Sequence, residues 1–355
     1  MFSKKAFLLA VGLLIALPAS GRDSLSPHIT VVDETFVSAV LRDNRIGLDP
    51  ARAIKVLLPP GYAKSRQRYP VVYFLHNAWY GPTRMIEDGR AQRLIERAFA
   101  DRAVSEFIFV VADYTGPTTG SLYENSPVSG RWIDYTVDEV VPLIDAKYRT
   151  LARRESRAVV GDFFGGRGAL KLAMTKADVF SVAYAMHPVA TGTGDIPWSA
   201  LEVDWARMHA AKTYGELGGL GRSQIFWAIH QAFAPDVSAP PCYCVLYTEM
   251  KDGKATYNPD RAIAMQKAFL LDETLAESAA ALRSMRGLAL DWGRFDTTQA
   301  HVSSNRQFSR KLEDLGIEHE AEEYRGDPWN RTWTEDGRFA ARVLPFLRKH
   351  LATAE

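Results

Sequence analysis

The chain has 355 residues, with 43 Lys and Arg against 42 Asp and Glu, a formal charge of +1. Hydrophobic residues make up 47% and charged residues 24%, the balance of an ordinary globular protein with material for a large core. Near-neutrality argues against a nucleic-acid partner, which needs a basic excess or stripe, and the recurring apolar runs argue against disorder.

The first residues, 1–5, are short and basic, and residues 6–17 form an apolar run too short to span a bilayer comfortably. Pro18 and the small-residue run Ala19, Ser20, Gly21 complete the pattern of a signal peptide over residues 1–21. Its removal takes away Lys4 and Lys5, leaving 41 basic and 42 acidic residues, a net charge of −1. The expectation is an exported protein, periplasmic or extracellular, with no membrane span in the mature chain.

Beyond this leader, extended runs alternate with helical periodicity. Residues 53–58 read as a strand, and 69–75 as a central strand apolar on both faces. A helix is predicted over 90–100, a strand over 107–112, and a helix over 132–148 whose apolar face holds Ile133, Val137, Val140, Val141 and Ile144. A strand at 157–160 runs into Gly161, and a helix starts by 165. Another strand covers 182–186. From 189 to 285 the rhythm breaks, with Gly218, Gly219, Gly221 and the Pro240-Pro241 pair as punctuation, so this stretch reads as a helical cap or insertion. Alternation resumes with a strand at 288–292, a helix at 303–315, a strand at 318–324 and a helix at 337–351. The predicted architecture is a single α/β domain over 22–355, a mostly parallel sheet flanked by helices. Cys242 and Cys244, the only cysteines, make no zinc pattern; a strand would put both thiols on one face, a strained local disulfide is the alternative, and inert, semi-buried thiols are the preferred reading. No cofactor or metal is called for, and no oligomeric state is specified.

The segment with most chemical content is Gly161-Asp162-Phe163-Phe164-Gly165-Gly166 between a strand and a helix. A turn of this form, G-x-S-x-G, lifts a serine oxygen above a sheet, and its glycines permit close approach of strand and helix. Here Phe163 holds the serine's place, and a phenyl ring cannot attack a carbonyl. The glycines from 161 to 168 do not make the dinucleotide pattern G-x-G-x-x-G in frame.

With this turn, several further motifs resemble the esterase family of α/β-hydrolases, which includes feruloyl and acetylxylan esterases, siderophore esterases, formylglutathione hydrolases and mycolyltransferases. They are Glu124-Asn125-Ser126-Pro127, Gly130-Arg131-Trp132, Tyr148-Arg149-Thr150, Asp291-Trp292-Gly293-Arg294-Phe295-Asp296, and Glu322-Glu323-Tyr324-Arg325-Gly326. The resemblance runs from about residue 53 to 351 and implies the α/β-hydrolase fold. It also implies a nucleophile at Phe163, which is lost, and an acid at Asp296, which is kept. The family's histidine falls at Pro328 or Asp327, where none stands. Its His-Gly loop reads His76-Asn77-Ala78-Trp79 here, and one oxyanion donor is the backbone N–H of Phe164.

What survives still describes a pocket. His76, Asn77, Trp79, Phe163, Phe164, Asp327 and Trp329 are the candidate ligand-binding residues, several of them aromatic. Asp162 is a candidate replacement nucleophile; it also suits a structural role, capping the next helix or pairing with Arg167. His187 ends a strand, where ligands gather in open α/β sheets, and is a candidate general base oriented by Asp296. A backbone hydrogen bond at the strand end before Pro188 is the alternative. His301, a few residues after Asp296, carries little functional weight at this level. Ser126 reads as turn chemistry, and Asn330-Arg331-Thr332 matches a glycosylation acceptor. The leading expectation is a non-hydrolytic relative of the esterases that binds a small ester, carboxylate or sugar-like molecule. The alternative is an active hydrolase with chemistry relocated around His187, Asp296 and Asp162.

Overall fold

The computed structural model describes residues 28–77, 81–117, 120–194, 202–217, 223–329 and 331–354. The predicted signal peptide, Trp79, Asn330 and the glycines at 218, 219 and 221 lie outside the described residues. Eight strands form the main sheet: β1 (Thr30–Val37), β2 (Ala51–Leu58), β3 (Val71–Leu75), β4 (Ile108–Ala112), β5 (Arg157–Asp162), β6 (Val182–Met186), β7 (Gly287–Gly293) and β8 (Glu320–Tyr324). Their order is β1-β2-β4-β3-β5-β6-β7-β8. The pairs β1–β2 and β2–β4 are antiparallel and every other neighbouring pair is parallel. The predicted mostly parallel sheet is present, with one antiparallel edge that includes β1, a strand missed by the sequence reading. β1 alternates only between exposed and half-buried positions, which gives a weak apolar signal.

The central strands show why continuous apolar runs belong here. In β3 every residue is buried: Val71, Tyr73 and Leu75 join one apolar cluster, while Val72 and Phe74 join a second. The period-2 geometry of a strand sends neighbours to opposite faces, so both faces need helices. Burying each large side chain stabilises the fold by about 1.5–3 kcal/mol. Helix α1 (Arg90–Ala100) covers the second cluster with Ala91, Ile95, Ala98 and Phe99, the helical spacing i, i+4, i+7, i+8. Helices α2 (Val141–Lys147) and α3 (Phe164–Thr175) pack on the first cluster.

Between β6 and β7 lie α4 (Ser223–Phe233), a hairpin of Thr248–Lys251 with Lys254–Tyr257, and α5 (Pro259–Phe269). Phe226, Trp227, Met265 and Phe269 from this stretch share one buried cluster with Val159 and Leu290 of the sheet. Two further helices are α6 (Gln299–Asp314) after β7 and α7 (Leu344–His350) after β8. Cys242 and Cys244 are free thiols, but they sit in a turn and not on a strand, because Tyr243 between them has φ of 54°.

Candidate functional site

The site is built at the carboxyl ends of β5, β6 and β7. β5 ends in Asp162, Phe163 follows with φ 57° and ψ −110°, and α3 begins at Phe164. A left-handed backbone at a non-glycine residue costs about 1–3 kcal/mol and persists only where the surroundings enforce it. They do so here. A Cβ on Gly161 would lie 1.9 Å from the Gly165 carbonyl oxygen, and one on Gly165 would lie 1.9 Å from the Leu75 oxygen. Strand and helix are therefore in backbone contact, and the Phe163 N–H donates to Met186 O at 3.0 Å across the turn. The turn keeps this strained geometry with Phe163 at its apex.

The Phe163 ring, 7% exposed, fills this seat. It lies parallel to the His187 imidazole with centroids 6.2 Å apart and meets the His301 ring edge-on at 5.3 Å. Trp329 covers it at 4.8 Å, and Phe164 stands edge-on at 5.3 Å. Phe163, Phe164, Phe226, Phe269, His301 and Trp329 line a cavity of about 330 Å³. Phe164 opens its helix, so its N–H has no carbonyl one turn earlier within α3 and the positive helix end faces this region.

Asp296 is buried in the loop after β7 and bonded to two imidazoles. Its Oδ2 meets His187 Nε2 at 2.8 Å and His301 Nδ1 at 2.7 Å, while Oδ1 accepts from the Thr298 N–H at 2.8 Å. Burial pushes this carboxyl up, but the hydrogen bonds from His187, His301 and Thr298 outweigh it and hold it well below the usual carboxylate range. His187 is 1% exposed, and burial depresses its pKa despite the bond to Asp296. The Gly293 N–H donates to His187 Nδ1 at 2.9 Å. Nδ1 thus holds the lone pair, and Nε2 carries the proton that Asp296 accepts.

This tautomer bears on metal binding. His187, Asp296 and His301 are the one group among the described residues with the spacing to hold an ion, their ligand atoms lying within 4.8 Å of one another. A proton already sits between each imidazole and the carboxylate. The only lone pair on neutral His187 faces Gly293, so His187 would have to give up that bond to become a ligand. Asp296 and both His187 nitrogens are satisfied within a hydrogen-bonded cluster that His301 joins through Nδ1.

His301 differs from His187 in having a face to the cavity. Its side chain is 24% exposed. In the neutral form, Nδ1 donates to Asp296 and the lone pair resides on Nε2, which has no hydrogen-bond partner among the described residues. The sequence reading gave this residue little weight. The signal that would have found it is the five-residue step from an acid to a histidine across a helix start.

Other candidates fall elsewhere. The Asp162 carboxyl has no hydrogen-bond partner among the described residues; burial and the nearby Asp291 carboxylate push it up to about 7. Its expected partner Arg167 is fully buried and points the other way, donating to Leu122 O and Phe269 O and pairing with Glu124. Nor does Asp162 cap α3, whose N-cap is Phe163. Asp162 borders a second cavity of about 280 Å³ with His76, Asn77, Arg84 and Trp329. His76 bonds Asn77 O at 2.7 Å and accepts from the Tyr114 N–H at 3.0 Å, so both ring nitrogens tie down its loop. Ser126 accepts from the N–H groups of Val128 and Ser129, which is turn geometry.

The loop after β8 offers no imidazole. Asp327 turns its carboxylate back to the Trp329 N–H at 2.8 Å. The acid loop is zipped onto this one through Arg294 N–H to Tyr324 O and Phe295 N–H to Gly326 O, at 3.0 and 2.9 Å. The next histidine, His350 in α7, lies 3.3 Å from Glu320 on the surface. Among the described residues no helix is long and apolar enough to cross a membrane.

Comparison with known proteins agrees with this fold. Residues 47–344 match the family model described as "Putative esterase". Esterase Rv1288 of Mycobacterium tuberculosis is 32% identical over 179 residues, 49% of this chain and 36% of that protein. An endo-1,4-beta-xylanase/feruloyl esterase of Xylanibacter ruminicola is 27% identical over 134 residues, 35% of this chain and 18% of that protein. The chain thus spans about a third or less of the length of these curated relatives. Among solved structures, a ferulic acid esterase superposes with a TM-score of 0.61 at 19% identity, covering 92% of this chain and all of that one. An S-formylglutathione hydrolase from Agrobacterium tumefaciens gives 0.58 at 14% identity, over 91% of this chain and 96% of that one. At these identities the likeness is one of fold.

Proposed function

The chain belongs to the esterase family of α/β-hydrolases, and from that premise we propose that it is an exported, non-hydrolytic member that binds a small ester, carboxylate or sugar-like ligand. The observation that carries this reading is Phe163 itself. The residue occupies the nucleophile's strained seat and buries a phenyl ring where a hydroxyl would attack. Without a nucleophile there is no acyl-enzyme, and the route that such a site uses is closed. The rest of the pocket remains suited to holding a ligand. Aromatic rings supply apolar contact, the Phe164 N–H and the α3 terminus favour an oxygen with negative character, and Trp329 forms an exposed flank.

Methyl ferulate, ferulate and xylobiose are suitable probes for the three ligand types, with Trp329 as the fluorescent reporter. The expected result is saturable quenching by at least one probe, lost in W329F, with the probe recovered unchanged. Steady release of methanol from methyl ferulate, abolished in D296N, would overturn the reading. That outcome is the signature of the second reading, relocated hydrolysis around His187, Asp296 and Asp162. Its support is the hydrogen-bonded contact between Asp296 and His187.

A further inference from the structure

We propose that His301 has taken the imidazole station of this site: with Asp296 it forms an acid–base pair whose free nitrogen serves the Phe163 seat. The proposal deepens the ligand-binding reading and rests on it. In the family-like arrangement an imidazole would come from the loop after β8, but that loop holds Asp327, Pro328 and Trp329. The first turn of α6 supplies one instead. His301 Nδ1 donates to Asp296 Oδ2 at 2.7 Å, its Nε2 has no partner among the described residues, and its ring lies 5.3 Å from the Phe163 ring. His187 cannot fill this role, because both its nitrogens are engaged, one by Gly293 and one by Asp296. What His187 does is hold the carboxylate in place from the buried side. It is a positioning residue.

In the native protein, Nε2 of His301 is a hydrogen-bond acceptor in an aromatic-walled cavity of about 330 Å³. The ligand that uses it carries a hydroxyl on an apolar body. A hydrogen bond of this kind changes affinity by roughly fivefold. The same nitrogen is one residue short of catalysis. In F163S the introduced hydroxyl would attack the acyl carbon of 4-nitrophenyl acetate as its proton passes to His301 Nε2, directly or through one water. The bond from acyl carbon to phenol oxygen breaks and 4-nitrophenolate leaves. Water then attacks the acetylated side chain through the same imidazole, and acetate is released.

Two measurements test the assignment. Benzyl alcohol and benzyl methyl ether are titrated into the wild type and H301A. The proposal predicts that H301A weakens the alcohol about fivefold and leaves the ether unchanged; equal effects on both would overturn it. Turnover of 4-nitrophenyl acetate is then compared for the wild type, F163S and F163S/H301A, each checked for native circular dichroism. F163S should exceed the wild type by about a hundredfold or more, and the double variant should return to the wild-type level. A folded but silent F163S, or one equally active without His301, would sink the proposal. Turnover by the wild type that D296N abolishes contradicts the non-hydrolytic reading instead, so the two failures are distinct.

Discussion

At the scale of single residues, two carboxylates in one site respond to pH in opposite directions. Asp162 is pushed up to about 7 by burial and by Asp291, so its folded pKa lies above its unfolded one. Stability from this group is greatest below the unfolded carboxylate range and falls as pH rises toward 7, where the buried charge forms. D162N removes that penalty. The expected outcome is a stability gain over wild type that is small near pH 4 and grows by on the order of 2–3 kcal/mol between pH 5 and pH 8. An equal effect at pH 5 and pH 8 would contradict the assignment. Asp296 is held low, so its contribution is present at neutral pH and is lost only as pH falls below the ordinary carboxylate range. Replacement by Asn leaves one amide oxygen where a carboxylate accepts from two imidazoles and the Thr298 N–H. D296N is therefore expected to lose about 2–4 kcal/mol at pH 7, read by urea unfolding.

Elements show what local pattern can and cannot reveal. The strand-to-helix turn at Phe163 was legible because backbone contact demands glycine, and the spacing of Gly161, Gly165 and Gly166 follows from it. G165A would drive a Cβ to within 1.9 Å of the Leu75 carbonyl oxygen. The displacement must be taken up by β3 or α3, so the variant is expected to lose more than about 3 kcal/mol or to be recovered only as insoluble protein. Wild-type solubility and melting temperature would refute this. The start of α6 was less legible. Its apolar positions Val302, Phe308 and Leu312 mark the helix body, whereas the polar first turn gives no period, so the sequence places the start at 303. The helix begins at Gln299, which carries His301 into the first turn and within reach of Asp296. That shift of one turn hid the residue with the free nitrogen. β1 was hidden for a similar reason, being an edge strand with no fully buried position.

Over the whole molecule, the sheet and its helices follow from continuous apolar runs and helical periodicity, which are local signals. The site depends on contacts between distant parts of the chain, such as Asp296 with His187 and the loop after β8 with Gly293, and no local pattern encodes these. The segment between β6 and β7 is a further case. Its composition marked it as a break in rhythm, but not how it docks. Arg167 of α3 makes that connection: fully buried, it donates to Phe269 O at 2.8 Å and lies over the Phe233 and Phe269 rings at 4.8 and 5.2 Å. Truncation leaves the carbonyls of Leu122 and Phe269 without this donor. R167A should cost about 3–5 kcal/mol and make the segment from 223 to 269 the first to be cut in limited proteolysis. Cleavage spread evenly over the chain would count against this coupling.

The central claim is that a family scaffold has kept its site and given up its nucleophile. Intact-mass spectrometry of the wild-type protein after incubation with an alkyl fluorophosphonate, and separately with 4-nitrophenyl acetate, addresses it directly. The account predicts an unchanged wild-type mass with both reagents and, in F163S, an adduct of one equivalent with the fluorophosphonate. A stoichiometric adduct on the wild type, mapped to a residue lining the Phe163 cavity, would contradict it.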